Sequence, residues 1–373
     1  MLAAGEASGD VHGAALCQAL RQVAPQVRLF GMGGPRMAAT GMELLADVTG
    51  AAAIGSNEIL GRLPEIWRVY RRLRAAVATN HPAVLVLIDF PEFNLRLATA
   101  ARRAGVPVVY YIPPQIWAWR AGRLRTIRKR VSLVLAVFPF EPAIYRQAGV
   151  PVEFVGHPVL DAIAVAPTRS AARRQLGIPE DGLVIGLLPG SRGHEVRQMT
   201  PLLREAAGRV ASARRQARFV LALAPTVDID AVGEHVTGEP SVTVVRDQTH
   251  AVMRAADLLL VTSGTATLEA ALLGAPMVVC YRASRLTVMM GRLLARVPWI
   301  SLANITLGRG VIPELWRDVT ADGVARAALQ LLDTPGALQA QRDAFGDLAT
   351  ALGKPGVSPR AARLVLAAAG VAA

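Results

Sequence analysis

Short apolar runs alternate with amphipathic stretches along nearly the whole chain. The runs AVLVLID (83–89), VPVVYYI (106–112), VSLVLAVF (131–138), LVIGLL (183–188), RFVLALA (218–224), DLLLVT (257–262) and PMVVC (276–280) are the clearest. Several are apolar at consecutive rather than alternate positions, which suits strands covered on both faces, as in parallel α/β sheets. Between them, PEIWRVYRRLRAAV (64–77) sets Ile66, Val69, Tyr70, Leu73 and Val77 on one helical stripe and turns Arg68, Arg71 and Arg72 away from it. Strand and helix in alternation predict right-handed βαβ units wound into a doubly covered sheet.

Two such series are present. The first runs to FVGHPVLD (154–161), a linker with a short helix follows over 162–182, and the second opens with LVIGLLPGSR (183–192). A chain of 373 residues is also long for one core. The expected organisation is an amino-terminal Rossmann-like domain over 1–165 and a second one over 166–344. The final segment, 345–373, which contains the helical pattern SPRAARLVLAAAG, is expected to join the first domain. Ligands of such sheets bind beyond the carboxyl ends of the strands.

Composition narrows the chemistry only in part. The net charge is +13, carried almost wholly by Arg, since Lys occurs only at 129 and 354. Such a balance suits an anionic membrane, a phosphorylated small molecule or nucleic acid, or simply an Arg-rich solvated surface. Cys17 and Cys280 sit in apolar segments without metal or disulfide spacing, and His12, His157, His194 and His250 form no ligand pattern. The opening residues lack the features of a signal peptide, and no apolar stretch is long enough to cross a bilayer.

The turns carry the candidate chemistry. LPGSRGHE (188–195) stands between a strand and a helix, and its amide N–H groups at a helix start, with the Arg192 fork, suit a pyrophosphate. Gly190, Ser191 and Glu195 complete that turn. VTSGTATLE (261–269) is a second turn of this kind. It offers Ser263, Gly264 and Thr265, with Glu269 one helical turn onward, where a carboxylate can accept ribose hydroxyls. AAGEASGDVHG (3–13) is a third; its Gly5, Glu6, Ser8 and Asp10 suit a hydroxylated ligand better than a phosphate. The strand before it is nearly absent. Asp89 ends a buried strand in LIDFPEFN (87–94), where a general base would sit, with Glu92 as the competing carboxylate. Trp117 and Trp119 precede six basic residues between 120 and 130, and Ile54, Leu60 and Trp67 precede or open another basic helix. Both patches suit contact with lipid or a membrane surface, and the first also suits nucleic acid.

In order, GEASGD, IDFPEFN, IWAWR, FPFE, FVGHP, LPGSR, SGTATLE and SLAN span residues 5 to 304, and this set resembles the lipid-A-disaccharide synthase family. The resemblance implies the GT-B fold, an α/β architecture of two Rossmann-like domains whose parallel sheets face a cleft. It implies inverting transfer of 2,3-diacylglucosamine from UDP-2,3-diacylglucosamine to the 6-hydroxyl of 2,3-diacylglucosamine 1-phosphate (lipid X), in lipid A biosynthesis. Asp89 matches the family's essential aspartate, and Glu6 and Asn304 match other positions important for activity. Arg192 and Glu269 fit pyrophosphate and ribose contacts, and Tyr281 lies near the base or pyrophosphate. Where this chain reads SLAN, the family commonly reads SLPN. Neither a metal nor another cofactor is expected. The expected partners are the two lipid substrates and an anionic membrane surface, not nucleic acid, with a homodimer allowed. The expected location is the cytoplasm, at the inner face of the cytoplasmic membrane. Other readings are a different GT-B UDP-sugar enzyme, such as a UDP-GlcNAc 2-epimerase, and a basic nucleic-acid-binding protein.

Overall fold

A computed structural model describes residues 1–47, 63–117, 122–225, 227–233, 238–282 and 298–371. Ile54, Leu60 and Trp119 lie outside these residues. The chain divides into two compact units, one of Met1–Asp161 with Leu352–Ala373, the other of Ala162–Ala351.

Unit 1 holds strands β1 (Leu2–Ala4), β2 (Phe30–Gly33), β3 (Glu43–Asp47), β4 (Leu85–Ile88), β5 (Val108–Tyr111), β6 (Leu133–Ala136) and β7 (Val152–Phe154). They form one parallel sheet in the order β3-β2-β1-β4-β5-β6-β7. Its helices, before the chain leaves for unit 2, are α1 (Ala7–Val23), α2 (Pro35–Ala39), α3 (Leu63–Asn80), α4 (Pro91–Arg103), α5 (Arg123–Arg130), α6 (Glu141–Gln147) and α7 (Val159–Ile163), the last straddling the boundary. The central strands β4 and β5 are buried at every position, as their unbroken apolar runs require. The three-residue β1 is the strand that the sequence barely shows, yet it lies in mid-sheet between β2 and β4. Its close approach to β2 dictates Gly31: a Cβ there would fall 2.0 Å from the Leu2 carbonyl oxygen. On α3, Leu73 and Val77 are buried, and Ile66, Val69 and Tyr70 pack against the same core, while Arg68, Arg71 and Arg72 face solvent.

Unit 2 holds β8 (Val184–Leu188), β9 (Arg218–Leu223), β10 (Val242–Arg246), β11 (Leu258–Thr262), β12 (Met277–Cys280) and β13 (Glu314–Leu315), parallel throughout and ordered β10-β9-β8-β11-β12-β13. Its helices are α8 (Arg169–Gln175), α9 (Gly193–Ala213), α10 (Thr249–Ala255), α11 (Ala266–Leu272), α12 (Leu302–Leu307), α13 (Ala321–Asp333) and α14 (Ala337–Leu352). Thr168, Ser301 and Thr320 cap α8, α12 and α13 with their side-chain oxygens, which explains where these helices start. Arg173, on α8, is buried and donates to the carbonyls of Ala255, Pro179, Glu180 and Gly182 and to Asp257, so α8 is fastened to the segment that leads into β11.

The last helix, α15 (Val357–Ala368), belongs to unit 1 and packs on α1 and β5. Asp161 fixes its start. One carboxylate oxygen accepts the N–H groups of Gly356 and Val357, at 2.6 and 3.2 Å, and the other accepts that of Ser358 at 2.9 Å. Three amides with no carbonyl partner inside the helix are thereby satisfied.

Candidate functional site

Both sheets reverse their winding once. In unit 1 the reversal falls between β1 and β4, and in unit 2 between β8 and β11. At such a switch point the two loops leaving the strands diverge to opposite faces and open a crevice. The loops there are 5–6 and 89–90 in unit 1, and 189–192 and 263–265 in unit 2. These loops carry Gly5, Glu6, Asp89, Gly190, Ser191, Arg192, Ser263, Gly264 and Thr265 of the expected site residues, whereas Ser8 and Asp10 stand in the first turn of α1, Glu195 and Glu269 in the first turns of α9 and α11, Asn304 in α12 and Tyr281 after β12.

In unit 1, Asp89 and Phe90 follow β4 with φ of 49° and 44°. Two successive side-chain-bearing residues in the left-handed region are strained, and Phe lacks the short polar group that eases Asp into it. The backbone is pinned there. The carbonyl of Asp89 accepts from Tyr110 Oη at 2.8 Å and from Asn94 Nδ2 at 2.7 Å. The same Asn94 amide reaches the carbonyls of Ala3 and Ile88, joining the ends of β1 and β4. The Asp89 carboxylate lies over the first turn of α1, with Oδ2 3.6 Å from where a Gly9 Cβ would be. Loss of hydration, and then the negative charge of Glu6, push its pKa up to about 7. Glu6 is the N-cap residue of α1 and partly exposed, and Ser8 is exposed.

Other residues expected in this half have duties in the scaffold. A Cβ on Gly5 would sit 2.3 Å from the Phe90 ring, so glycine makes room for that ring. The buried Asp10 carboxylate accepts the N–H groups of Gly34, Arg36 and Met37 at 2.9, 3.0 and 2.9 Å and caps α2. Glu92 is paired with Arg123. Trp117 is only 8% exposed; its ring lies edge-on to Phe138 and Phe140, and its N–H donates to Glu141 at 3.2 Å. The expectation of a membrane contact at Trp117 meets a ring turned inward to a buried carboxylate. Burial pushes the Glu141 pKa up to about 7, opposed by hydrogen bonds from Phe138, Val137 and Trp117. His157 is buried and its Nδ1 accepts the Val159 N–H, which leaves the proton on Nε2. Desolvation, and secondly His12, hold its pKa down to about 3, so the ring is neutral. Trp67, by contrast, is 54% exposed. It stacks on Tyr70, which meets Phe93 edge-on, and Phe93 stacks on Phe90 beside Asp89.

In unit 2, Gly190 has φ of 122°, and a Cβ on it would fall 2.8 Å from Glu195 Oε2. Glu195 uses that space to reach back over the turn. Its carboxylate holds Arg192 Nη1 at 2.9 Å and accepts the Ser191 N–H at 3.4 Å. Arg192 is the N-cap residue of the 21-residue α9, so a guanidinium and the positive end of a long helix meet at one place. Across the switch point, Ser263 Oγ donates to the Ile300 carbonyl at 2.7 Å. Gly264 is exposed with open space around it, Thr265 precedes α11, and Thr267 Oγ1 bonds the Gly264 carbonyl. Glu269 is partly exposed and lies 3.1 Å from His250 Nε2. Tyr281 is half-buried. Its phenol is pushed up by lost hydration and by Glu195 and drawn back by Arg192, so Tyr281 shares the surroundings of that turn. Asn304 is 0% exposed and its amide is fully engaged: Nδ2 donates to Ile312 and Glu314, and Oδ1 accepts from Val311 and Ile312. It holds a loop and presents no atom to solvent. Glu314 and His250 are the partners that sequence reasoning did not assign to this region.

Among the described residues, no group of three or more His, Cys, Asp or Glu is placed to hold a metal ion, and no helix is long and apolar enough to cross a membrane. The Asp-x-Asp pair Asp228 and Asp230 caps a 3₁₀ turn, with Asp228 Oδ1 accepting the Asp230 N–H.

A family model described as Lipid-A-disaccharide synthetase matches residues 1–352. The lipid-A-disaccharide synthase of Geobacter sulfurreducens is 41% identical over 368 residues, covering 98% of this chain and 96% of that protein. The lipid-A-disaccharide synthase of Myxococcus xanthus is 41% identical over 369 residues, with the same coverage of 98% and 96%. Among solved structures, a putative UDP-N-acetylglucosamine 2-epimerase from Listeria monocytogenes is similar with a TM-score of 0.66 at 14% identity, over 98% of this chain and 95% of that one. The UDP co-structure of S. aureus MnaA gives 0.67 at 13% identity, again over 98% and 95%. These two likenesses show a shared GT-B-like fold.

Proposed function

Because the chain belongs to the lipid-A-disaccharide synthase family, and is thus a glycosyltransferase, we propose that it joins two acylated glucosamine units with release of UDP. The donor is UDP-2,3-diacylglucosamine and the acceptor is 2,3-diacylglucosamine 1-phosphate. The donor sugar is α-linked to UDP and the product is β-linked, so a single in-line displacement accounts for the stereochemistry. The acceptor O6 forms a bond to C1 as the bond from C1 to the diphosphate oxygen breaks, and the O6 proton passes to Asp89. Charge that builds on the leaving UDP is met by Arg192 and by the amide N–H groups at the start of α9. Glu269, steadied by His250, accepts from the ribose. Glu6 keeps the Asp89 carboxyl basic through its negative charge.

The observation that carries this reading is Asp89: a carboxyl at the unit 1 switch point, locked in a strained turn, with a pKa of about 7. That value suits a group that must be ionised before the reaction and accept a proton during it. Purified protein incubated with both lipid substrates is expected to yield UDP and the disaccharide 1-phosphate. Release of an epimerised UDP-sugar without a lipid acceptor would overturn this reading.

The acyl chains and the acceptor require a lipid surface. Exposed Trp67, with Arg68, Arg71 and Arg72 on the outer face of α3, and the basic helix α5, which packs on α4 as α3 does, suit an anionic one. Trp67→Ser is expected to lower the fraction of protein that floats with anionic vesicles about threefold or more, and added salt to lower it further. Equal flotation of variant and wild type would remove Trp67 from the contact.

A further inference from the structure

The carboxylate of Glu314, on the edge strand β13, gathers donors from a single loop. Its Oε1 accepts the Ser301 N–H at 3.1 Å, the Ser301 hydroxyl at 2.6 Å and the Asn304 amide at 2.7 Å, and its Oε2 accepts the Ile300 N–H at 2.6 Å. The Ser301 hydroxyl in turn accepts the Asn304 N–H and starts α12. Four donors on one carboxylate fix the 300–304 loop against the sheet edge. The loop's forward contact is the Ile300 carbonyl, which takes the hydrogen of Ser263 Oγ at 2.7 Å. Ser263 stands in the turn after β11, at the unit 2 switch point.

A hydroxyl that has given its hydrogen to a carbonyl can offer a ligand only lone pairs. Phosphate oxygens are acceptors and gain nothing from such a group, whereas a ribose hydroxyl or the N–H of a uracil ring is a donor. We propose that Glu314 is a positioning residue which, through the Ile300 peptide, holds Ser263 as a hydrogen-bond acceptor for the nucleoside part of the donor substrate. Asn304 acts in the same clamp and not on the reacting atoms. The proposal rests on the reading of unit 2 as the UDP-binding half, and it assigns Ser263 to the nucleoside and Arg192 to the diphosphate.

The test is calorimetric titration of wild type, Glu314→Ala, Ser263→Ala and the double variant with UDP and, separately, with inorganic pyrophosphate. Each single change is expected to raise the UDP Kd about five- to tenfold, as for loss of one oriented hydrogen bond. The double variant is expected to be no weaker than the weaker single variant, since both changes remove the same contact. Pyrophosphate affinity is expected to stay within about twofold of wild type, an outcome that general loosening of unit 2 would not give. Unchanged UDP affinity, single effects that multiply in the double variant, or a parallel loss of pyrophosphate affinity would each overturn the proposal while leaving the UDP reading in place. Wild-type protein that binds no UDP would overturn both. If Glu314→Ala does not fold, Glu314→Gln, which keeps one acceptor oxygen, goes through the same titrations with the same outcomes.

Discussion

Asp89→Asn is expected to lower kcat by about 10²–10⁴-fold, the span that removal of a general base ordinarily costs, with UDP affinity within about twofold of wild type. The side chain keeps its shape, and the Asp89 carbonyl keeps its bonds to Tyr110 and Asn94, so what is lost is the capacity to take a proton. In the wild type, kcat/KM should rise tenfold per pH unit below about 7 and level off above it, because the ionised carboxylate is the competent form. The variant should lack that rising limb. Stability should move the other way. A carboxyl raised from 3.8 to about 7 by folding binds its proton more tightly in the native state. Its contribution is fully present below pH 3.8 and is lost as pH climbs through 7. Asparagine carries no such penalty. The variant should therefore be more stable than wild type at pH 8, by about 4 kcal/mol, with the gap closing toward pH 4. Thermal unfolding across pH checks this, and wild-type turnover in the variant would end the assignment of Asp89 as base.

Arg192→Ala is expected to raise the UDP Kd by about 10²-fold, since hydrogen bonds to a charged diphosphate contribute about 1.5–3 kcal/mol each. The loss has a second source. Arg192 is the counter-charge of Glu195, whose carboxylate lies over the same turn. Without the guanidinium, an approaching diphosphate meets that carboxylate unneutralised. Arg192→Lys should recover only part of the affinity, because an ammonium lacks the planar fork. Titration with UDP reads both effects, and affinity equal to wild type in Arg192→Ala would exclude it from the phosphate contact.

How far the molecule could be read from its sequence follows from what each element needs. Strands β4, β5 and β11 are legible because a strand covered on both faces must be apolar throughout, and Gly and Pro bound such runs. β2 is hidden because its residues, Phe30 to Gly33, alternate with glycine, and the reason is the proximity of the Leu2 carbonyl, which no local pattern reveals. β13 is two residues long and carries no pattern at all. At the site, position along the fold was legible: Asp89, Glu6, Arg192 and Ser263 leave the strands that flank the two switch points. Partnership was not. Asp10 reads as a ligand group until the amides of residues 34, 36 and 37 arrive from the next βα unit. Trp117 reads as an exposed aromatic until Glu141, far along the chain, takes its N–H. Glu314 lies in no motif, and its importance is visible only when the 300–304 loop folds onto it.

The capping of α15 by Asp161 bears on the order in which the protein is made. Unit 2 is one continuous stretch of chain and can close its core soon after its last residue leaves the ribosome. Unit 1 cannot: α1 and β5 await a helix encoded more than 180 residues after Asp161. During synthesis the first-made half therefore stays open along one flank while the second-made half is already complete, a reversal of the usual vectorial sequence. A nascent chain halted before residue 357 would display the uncovered flank of α1 to chaperones.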